Sequence, residues 1–186
     1  KMIHTPLLGR AIASASTEPL ISFGKKALED CKNNVPTEAI EQVALAIIIT
    51  AGLVSNFTVH ENNPNPEEDY YYNSSLAHCV YYGASLFPQC ERQHLHGEIV
   101  SFGVLCLLTY DGQFEERNRI FEFNHSIGLP CTLGEIALTP DDVPAIAHKA
   151  ASVVEWKYVP GNPTEDAFIN AILATDKAGK EFLADK

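Results

Sequence analysis

The stretch LHGEIVSFGVLCLLTY, residues 95–110, decides the fold class of this chain. Apolar residues would cover almost every side of a helix formed here, from Ile99 to Leu108. A helix that is apolar nearly all round lies in the centre of a domain, with other helices packed against several of its faces. We therefore predict a buried helix from about Gln93 to Tyr110, surrounded by the remaining segments.

The flanking segments carry the signals of further helices. Threonine and proline at helix starts, apolar residues spaced by three and four, and a glycine cap at Gly128 recur along the chain. Strand signals are nearly absent, and His60–Asp69 is the only long loop-like stretch. The sequence predicts an all-α, multi-helix bundle of seven or eight helices. They are expected at Thr5–Cys31, from Pro36 onward, and at Tyr71–Phe87, Gln93–Tyr110, Gln113–Ile127, Thr139–Ser152 and Thr164–Leu183, with a capping box at Thr132–Glu135.

Composition narrows the function classes. The 186 residues are 46% hydrophobic and carry a net charge of −11, which argues against a nucleic-acid or anionic-membrane surface. The longest apolar run, Val43–Val54, is about half of what a bilayer needs, and Lys1–His4 do not resemble a signal peptide. Five scattered cysteines without a Cys-x-x-Cys pair favour reduced thiols. We expect a cytoplasmic protein with no membrane or nucleic-acid partner.

Two histidines are the candidate metal ligands. His78 and His96 are eighteen residues apart on two predicted helices joined by a Phe-Pro turn, and a short turn would make those helices antiparallel. The two imidazoles could then meet over one divalent metal ion. On a helix, the His94 side chain would point about 200° away from that of His96, so the two could not bind the same metal ion. We expect His94 to lie at the start of the helix, or to contact a metal ligand without binding the metal. We expect ordinary surface or packing roles for His4, His60, His125 and His148.

The residues around this pair resemble a known family. The segments AHCVYYG (77–83) and LHGEIVSFG (95–103) resemble the C-terminal domain of glycerol dehydrogenases, within the metal-dependent (iron-containing) alcohol dehydrogenase family. The resemblance continues in NHSIGLPCTL (124–133) and in TEDAFINAILATD (164–176). It covers about Ile12 to Leu183.

The resemblance implies both a fold and a chemistry. It implies a dehydroquinate synthase-like helical domain that holds zinc or iron with an Asp and two His, here His78 and His96. The metal would lower the pKa of a polyol or alcohol hydroxyl, whose alkoxide gives hydride to NAD(P) bound mainly by an N-terminal α/β domain. Relatives of this type commonly form homo-oligomers.

The chain departs from the family at three points. The Asp ligand and the glycine-rich dinucleotide segment have no counterpart in the 186 residues, and Tyr81 stands where many relatives have a second histidine. We therefore expect residues 1–186 to be the C-terminal metal- and substrate-binding domain, inactive without its N-terminal partner domain. Tyr81 is a candidate catalytic residue, either contacting substrate or relaying a proton, and core packing is an equal alternative.

Other functions stay open at this stage. A stand-alone helical interaction or structural domain without catalysis is one alternative, and a hydroxy-acid dehydrogenase is another. A dehydroquinate synthase-like enzyme is less favoured, because the sequence shows no basic cluster for a phosphate near His78 or His96.

Overall fold

A computed structural model describes residues 5–60, 70–71 and 75–186. The chain divides into two compact units, Lys1–Asn73 and Ser74–Lys186. The assignment of the whole chain to one helical domain therefore stays a prediction. In both units the described residues are overwhelmingly helical, so the all-α fold class is confirmed.

The first unit is built on a pair of long helical segments. Helix α1 (Thr5–Lys32) packs on α2 (Glu38–Leu45), on a π-helical turn (Ala46–Ala51) and on α3 (Gly52–Thr58). At the junctions, Leu45 and Gly52 keep right-handed helical dihedrals, so α2, the π-helical turn and α3 form one continuous helix. Counted in that way, the described part of the chain contains eight α-helices.

This continuous helix corrects one expectation from the sequence. The twenty-residue helix 38–57 is long and apolar enough to cross a membrane, with a mean hydropathy of 1.7 over an 18-residue window. The prediction that no segment reaches that length is wrong, because the helix runs unbroken past Gly52 and also includes the turn before Val43. A single helix of this kind is weak evidence for a membrane, since length and composition alone define it.

A two-residue strand pair replaces part of a predicted helix. Strands β1 (Val59–His60) and β2 (Tyr70–Tyr71) pair antiparallel, with Val59 opposite Tyr71. The helix that carries His78 was expected to begin at about Tyr71, but it begins at Leu76. The aromatic and β-branched residues at these positions favour extended backbone, which outweighs the helical pattern. Most of the predicted loop lies outside the described residues.

The second unit surrounds one central helix. Helix α6 (His96–Tyr110) packs on α4, α7 and α9, and its residues Ile99, Phe102 and Leu105 are fully buried. This placement confirms the predicted central, buried helix, which was expected from about Gln93 to Tyr110 and begins at His96. The other helices of the unit are α4 (Leu76–Ala84), α5 (Pro88–Gln93), α7 (Phe114–Ile127), α8 (Val143–Ala150) and α9 (Glu165–Ala184), with 3₁₀ turns at Gly134–Ile136, Pro140–Asp142 and Val154–Tyr158.

Local capping follows the sequence at several helix ends. Gly128 ends α7 with φ +78°, a left-handed conformation that glycine adopts without strain. The Thr164 hydroxyl oxygen accepts a hydrogen bond from the Ala167 N–H at the start of α9. The predicted capping box at Thr132–Glu135 is only half formed: the Thr132 hydroxyl oxygen accepts a hydrogen bond from the Glu135 N–H, but the Glu135 carboxylate binds the Cys131 N–H and the Thr132 hydroxyl. The segment leads into the short 3₁₀ turn Gly134–Ile136.

Candidate metal centre

Two helix starts carry the candidate ligands. His78 lies in the first turn of α4, and His96 is the first residue of α6. A turn lies at the predicted Phe-Pro position, but Pro88 also begins helix α5, which the prediction did not include. The connection is therefore a short helix, and a close contact between α4 and α6 brings the histidines together.

Glycine makes that close contact possible. A Cβ atom built on Gly103 of α6 would lie 2.2 Å from the carbonyl oxygen of Ala77 in α4. Only a residue without a side chain lets the two backbones approach so far. Because Ala77 directly precedes His78, this contact fixes the start of α4 against α6.

The two imidazole rings are neighbours. The centroids of the His78 and His96 rings are 5.5 Å apart, and their planes are tilted by 46°. The two rings thus lie side by side, and their sharing of one metal ion stays a prediction. Two imidazoles on one tetrahedral zinc ion, with Zn–N bonds of about 2.0–2.1 Å, have centroids about 5 Å apart. The spacing of the pair therefore fits a shared metal ion.

The pair is accessible from one side. His96 is exposed and His78 is half-buried. A Cβ added at Gly97, the residue after His96, would meet no heavy atom within 4 Å. Space is therefore open above the first turn of α6, where an ion or a small molecule could approach His96.

Tyr81 packs on the exposed histidine. Its ring centroid is 4.3 Å from that of His96, edge to face at 86°, and 5.5 Å from that of Tyr82. The half-buried Tyr81 ring also packs against the hydrophobic core. Since contact on one face restricts rotation of the imidazole, Tyr81 can hold His96 in place while its own ring remains part of the core.

Burial favours the neutral, metal-binding form of His78. The pKa of His78 is lowered from its ordinary value, first by burial and then by the positive charge that His96 can carry. The Glu155 carboxylate opposes this shift by raising the pKa of His78. Since a ligating imidazole must be unprotonated, the balance favours metal binding near neutral pH.

Three other histidines of the second unit have neighbours outside the pair. His94 Nδ1 is 3.2 Å from Glu98 Oε2, and the same carboxylate oxygen accepts a hydrogen bond from the Leu95 N–H at 3.0 Å. Glu98 thus caps the start of α6. His125 packs edge-on against Phe182, and His148 is 84% exposed. His4 lies outside the described residues.

The described residues do not complete a metal site alone. Among residues 5–60, 70–71 and 75–186, no group of three or more His, Cys, Asp or Glu side chains is arranged to hold a metal. Cys79 lies beside His78 in the chain, but burial raises its thiol pKa to about 12, so it stays protonated. The histidine pair can supply two ligands to a metal ion, and the remaining ligands would have to come from groups other than the described residues.

One buried acid was not singled out from the sequence. Glu155 is only 3% exposed and lies in the 3₁₀ turn Val154–Tyr158, which packs on α4. Its sequence signal was a lone acid within the apolar and aromatic stretch VVEWKY (153–158). Periodicity could not reveal it, because the turn is too short to show a helical or strand pattern.

The lowered pKa of His78 predicts an acid-sensitive contribution to stability. Its pKa is below the ordinary 6.5 when folded, so the unfolded chain binds the proton more tightly. Stability is therefore lost as the pH falls through about 6.5 toward the folded pKa. We expect urea unfolding in metal-free buffer between pH 7.5 and 5 to show a smaller acid loss for His78→Gln than for the parent chain. Equal losses would contradict the expected burial effect.

Comparison with known proteins supports the resemblance drawn from the motifs. No family model matches the chain. Over 181 residues it is 29% identical to glycerol dehydrogenase from Escherichia coli O6:H1, covering 94% of this chain and 45% of that enzyme. It is also 28% identical over 166 residues to hydroxycarboxylate dehydrogenase A of Escherichia coli K12, covering 87% of this chain and 43% of that enzyme.

A solved structure shows the same relation. A probable glycerol dehydrogenase from Sinorhizobium meliloti superposes with a TM-score of 0.78 at 26% identity, covering 94% of this chain and 46% of that one. The chain thus spans about half the length of the relatives it matches. Over that half, its resemblance to the glycerol dehydrogenases of the metal-dependent alcohol dehydrogenase family is confirmed.

Proposed function

We propose that this chain holds the metal and the substrate in an NAD(P)-dependent dehydrogenase of polyols or simple alcohols. The observation that carries the proposal is the His78–His96 pair, whose ring centroids are 5.5 Å apart beside the open space over Gly97. The similarity to glycerol dehydrogenases supports the same chemistry. The nicotinamide is expected to bind elsewhere, because the 186 residues contain no glycine-rich dinucleotide segment.

Each residue of the pair has a defined task. His78 and His96 would supply two imidazole nitrogens, a ligand type that suits zinc and iron alike. A divalent metal held by the two imidazoles would act as a Lewis acid and make a substrate hydroxyl easier to deprotonate. Tyr81 restrains the His96 ring by edge contact, and its phenol is our candidate for contacting the substrate or relaying its proton.

The charges around the pair favour an uncharged substrate. The acidic side chain that acts on the pKa of His78 is Glu155, whose carboxylate raises it. A carboxylate repels a nearby anionic substrate, so we expect the site to bind glycerol-like polyols in preference to phosphorylated sugars. A hydroxy acid is the second candidate substrate, because the chain is also similar to a hydroxycarboxylate dehydrogenase. The cationic group that binds its carboxylate would then come from another part of the enzyme.

The remaining predictions follow from the resemblance. We propose that the chain alone does not transfer hydride, that the complete enzyme is a cytoplasmic homo-oligomer, and that an aspartate outside the described set supplies the third metal ligand. A stand-alone helical module would need none of these features, so metal binding separates the two functions.

Zinc titration tests the proposed metal site. We expect the chain to bind one zinc ion at neutral pH, and His78→Ala and His96→Ala each to weaken binding by at least about tenfold, equivalent to about 1.4 kcal/mol. Removing one imidazole leaves a single nitrogen ligand among the described residues. Competition with a chromophoric chelator measures the dissociation constants.

The matched control for this titration is His148→Ala. The His148 side chain is 84% exposed on α8, and its neighbour is Glu165 rather than another histidine. This variant should bind zinc like the parent chain. If all three variants kept the parent affinity, the histidine pair would not be a metal site, and a helical module without catalysis would become the better description.

A further inference from the structure

A cleft between α7 and α9 belongs to no site described above. Its volume is about 520 Å³, and it is lined by α7 residues between 117 and 122 and by α9 residues between 178 and 182. Pockets for small molecules typically measure about 300–1,000 Å³. The histidine pair lies elsewhere, because His96 is the first residue of α6, which extends about 22 Å before the chain turns into α7. The cleft is therefore large enough to be a separate binding site.

Stacked aromatic rings form one wall of this cleft. The ring centroids of Phe121 and Phe182 are 5.5 Å apart, and their planes are only 19° from parallel. The His125 ring meets Phe182 edge-on, with centroids 5.8 Å apart. Phe121 is buried, whereas Phe182 is partly exposed at the cleft. Because its neighbours restrain it, the Phe182 ring offers a flat, fixed apolar surface to a ligand.

Arg117 brings a partly buried positive charge to the same cleft. Its guanidinium carbon lies 5.1 Å from the Phe114 ring centroid and 5.7 Å from that of Phe121. Its Nε and Nη2 atoms donate hydrogen bonds to Asn118 Oδ1 at 3.2 and 3.0 Å. Within the described part of the chain, no carboxylate oxygen lies within 4.0 Å of this guanidinium. Since a guanidinium has five N–H donors, three are left for a ligand.

The acids of the cleft do not cancel this charge. Both carboxylate oxygens of Glu122 accept hydrogen bonds from Lys186 Nζ at 2.9 Å, so a cation already neutralises that acid. Glu181 is 67% exposed, and its carboxylate lies 3.9 Å from Lys177 Nζ. Solvent screens such an exposed charge more strongly than a partly buried one. The interior of the cleft therefore favours an anionic group.

We propose that the cleft between α7 and α9 binds a small organic carboxylate, with its carboxylate on Arg117 and its apolar body against Phe182. The planar guanidinium donates two parallel hydrogen bonds to a carboxylate, which gives this pairing both strength and a fixed geometry. The aromatic wall favours a ligand with an apolar body over a small inorganic anion. This site goes beyond the proposed function, because it uses neither the histidine pair nor a metal ion.

Titration with benzoate, followed by nuclear magnetic resonance, tests this site. The chain is first freed of metal on a chelating resin, so that the carboxylate has no metal ion to bind. We expect saturable binding with a dissociation constant of about 1 mM or lower. The resonances of the Arg117 Nε–H and the Phe182 N–H should shift, and those of His96 and Gly97 should not. Absence of saturation, or shifts confined to His96 and Gly97, would overturn the proposal.

Two further probes separate the charge of the ligand from its apolar body. Benzyl alcohol carries a similar ring without the negative charge, and we expect it to bind at least about tenfold more weakly than benzoate. Benzylamine carries the opposite charge and should bind more weakly still. Equal binding of benzyl alcohol and benzoate would mean that Arg117 contributes nothing. Tighter binding of benzylamine would mean that Glu181 decides the ligand, and either result would overturn the proposal.

Arg117→Gln and a matched control complete the test. Arg117→Gln removes the charge, and we expect it to weaken benzoate binding at least about tenfold. Arg92→Gln removes an exposed arginine of α5 and should bind benzoate within about twofold of the parent. Parent-like affinity in Arg117→Gln would overturn the proposal, and if that variant does not fold, the shifted resonances of the parent decide. His78→Ala should keep the benzoate affinity, so failure of the metal site leaves this inference standing.

Discussion

Gly103→Ala is expected to lower the free energy of unfolding of the second unit by about 3 kcal/mol and to separate the histidine pair. The added Cβ would lie 2.2 Å from the carbonyl oxygen of Ala77 and 2.9 Å from its Cα. Both contacts are with backbone, so no side-chain rotation relieves them, and α4 has to move away from α6. Because His78 follows Ala77 directly, this movement also weakens zinc binding.

The same helix provides a control for the change from glycine to alanine. A Cβ at Gly97 meets no heavy atom within 4 Å, so Gly97→Ala should leave stability unchanged or raise it by up to about 1 kcal/mol. Urea unfolding followed by Trp156 fluorescence reports on the second unit, since the only tryptophan lies there. The close contact of α4 and α6 would be contradicted if the free energy of unfolding of Gly103→Ala lay within about 0.5 kcal/mol of the parent value, the usual range for a neutral substitution.

The sequence could predict α6 because one local property decides its position. Apolar residues on all its sides have to be buried, whatever the rest of the chain does. The histidine pair was also predictable, through its two motifs. The packing that brings the two histidines together could not be predicted. It depends on the contact of Gly103 with Ala77, and no local sequence pattern determines how α4 and α6 cross.

Glu155 and helix α5 are two further features that local sequence patterns did not predict. A buried acid in a short turn becomes meaningful only when the turn is packed against α4, which sequence periodicity does not reveal. The Phe-Pro pair was interpreted only as a turn, although proline is also favoured at the first position of a new helix, which is where Pro88 lies. Choosing between these roles needs the tertiary contacts that bury Cys90 of α5.

Two stretches that carried the family resemblance meet at Asp176. Its carboxylate accepts a hydrogen bond from the Leu133 N–H at 2.9 Å and a second from Lys180 Nζ at 2.6 Å. Nearby, a Cβ added at Gly179 would lie 2.1 Å from the carbonyl oxygen of Cys131. Helix α9 is thus held tightly against the segment that follows α7, and a buried polar contact is the centre of that junction.

Asp176→Ala is therefore expected to lower the free energy of unfolding by about 3 kcal/mol, since it removes a charged partner and leaves the Leu133 N–H buried without an acceptor. Lys180→Ala is the matched control: its side chain is 58% exposed, and its loss should cost at most about 1 kcal/mol. Urea unfolding of both variants measures the difference. Similar losses in the two variants would mean that the exposed ion pair, rather than the buried N–H contact, stabilises the junction. A large loss in Asp176→Ala alone would show that the buried hydrogen bond across 43 residues of sequence holds α9 in place.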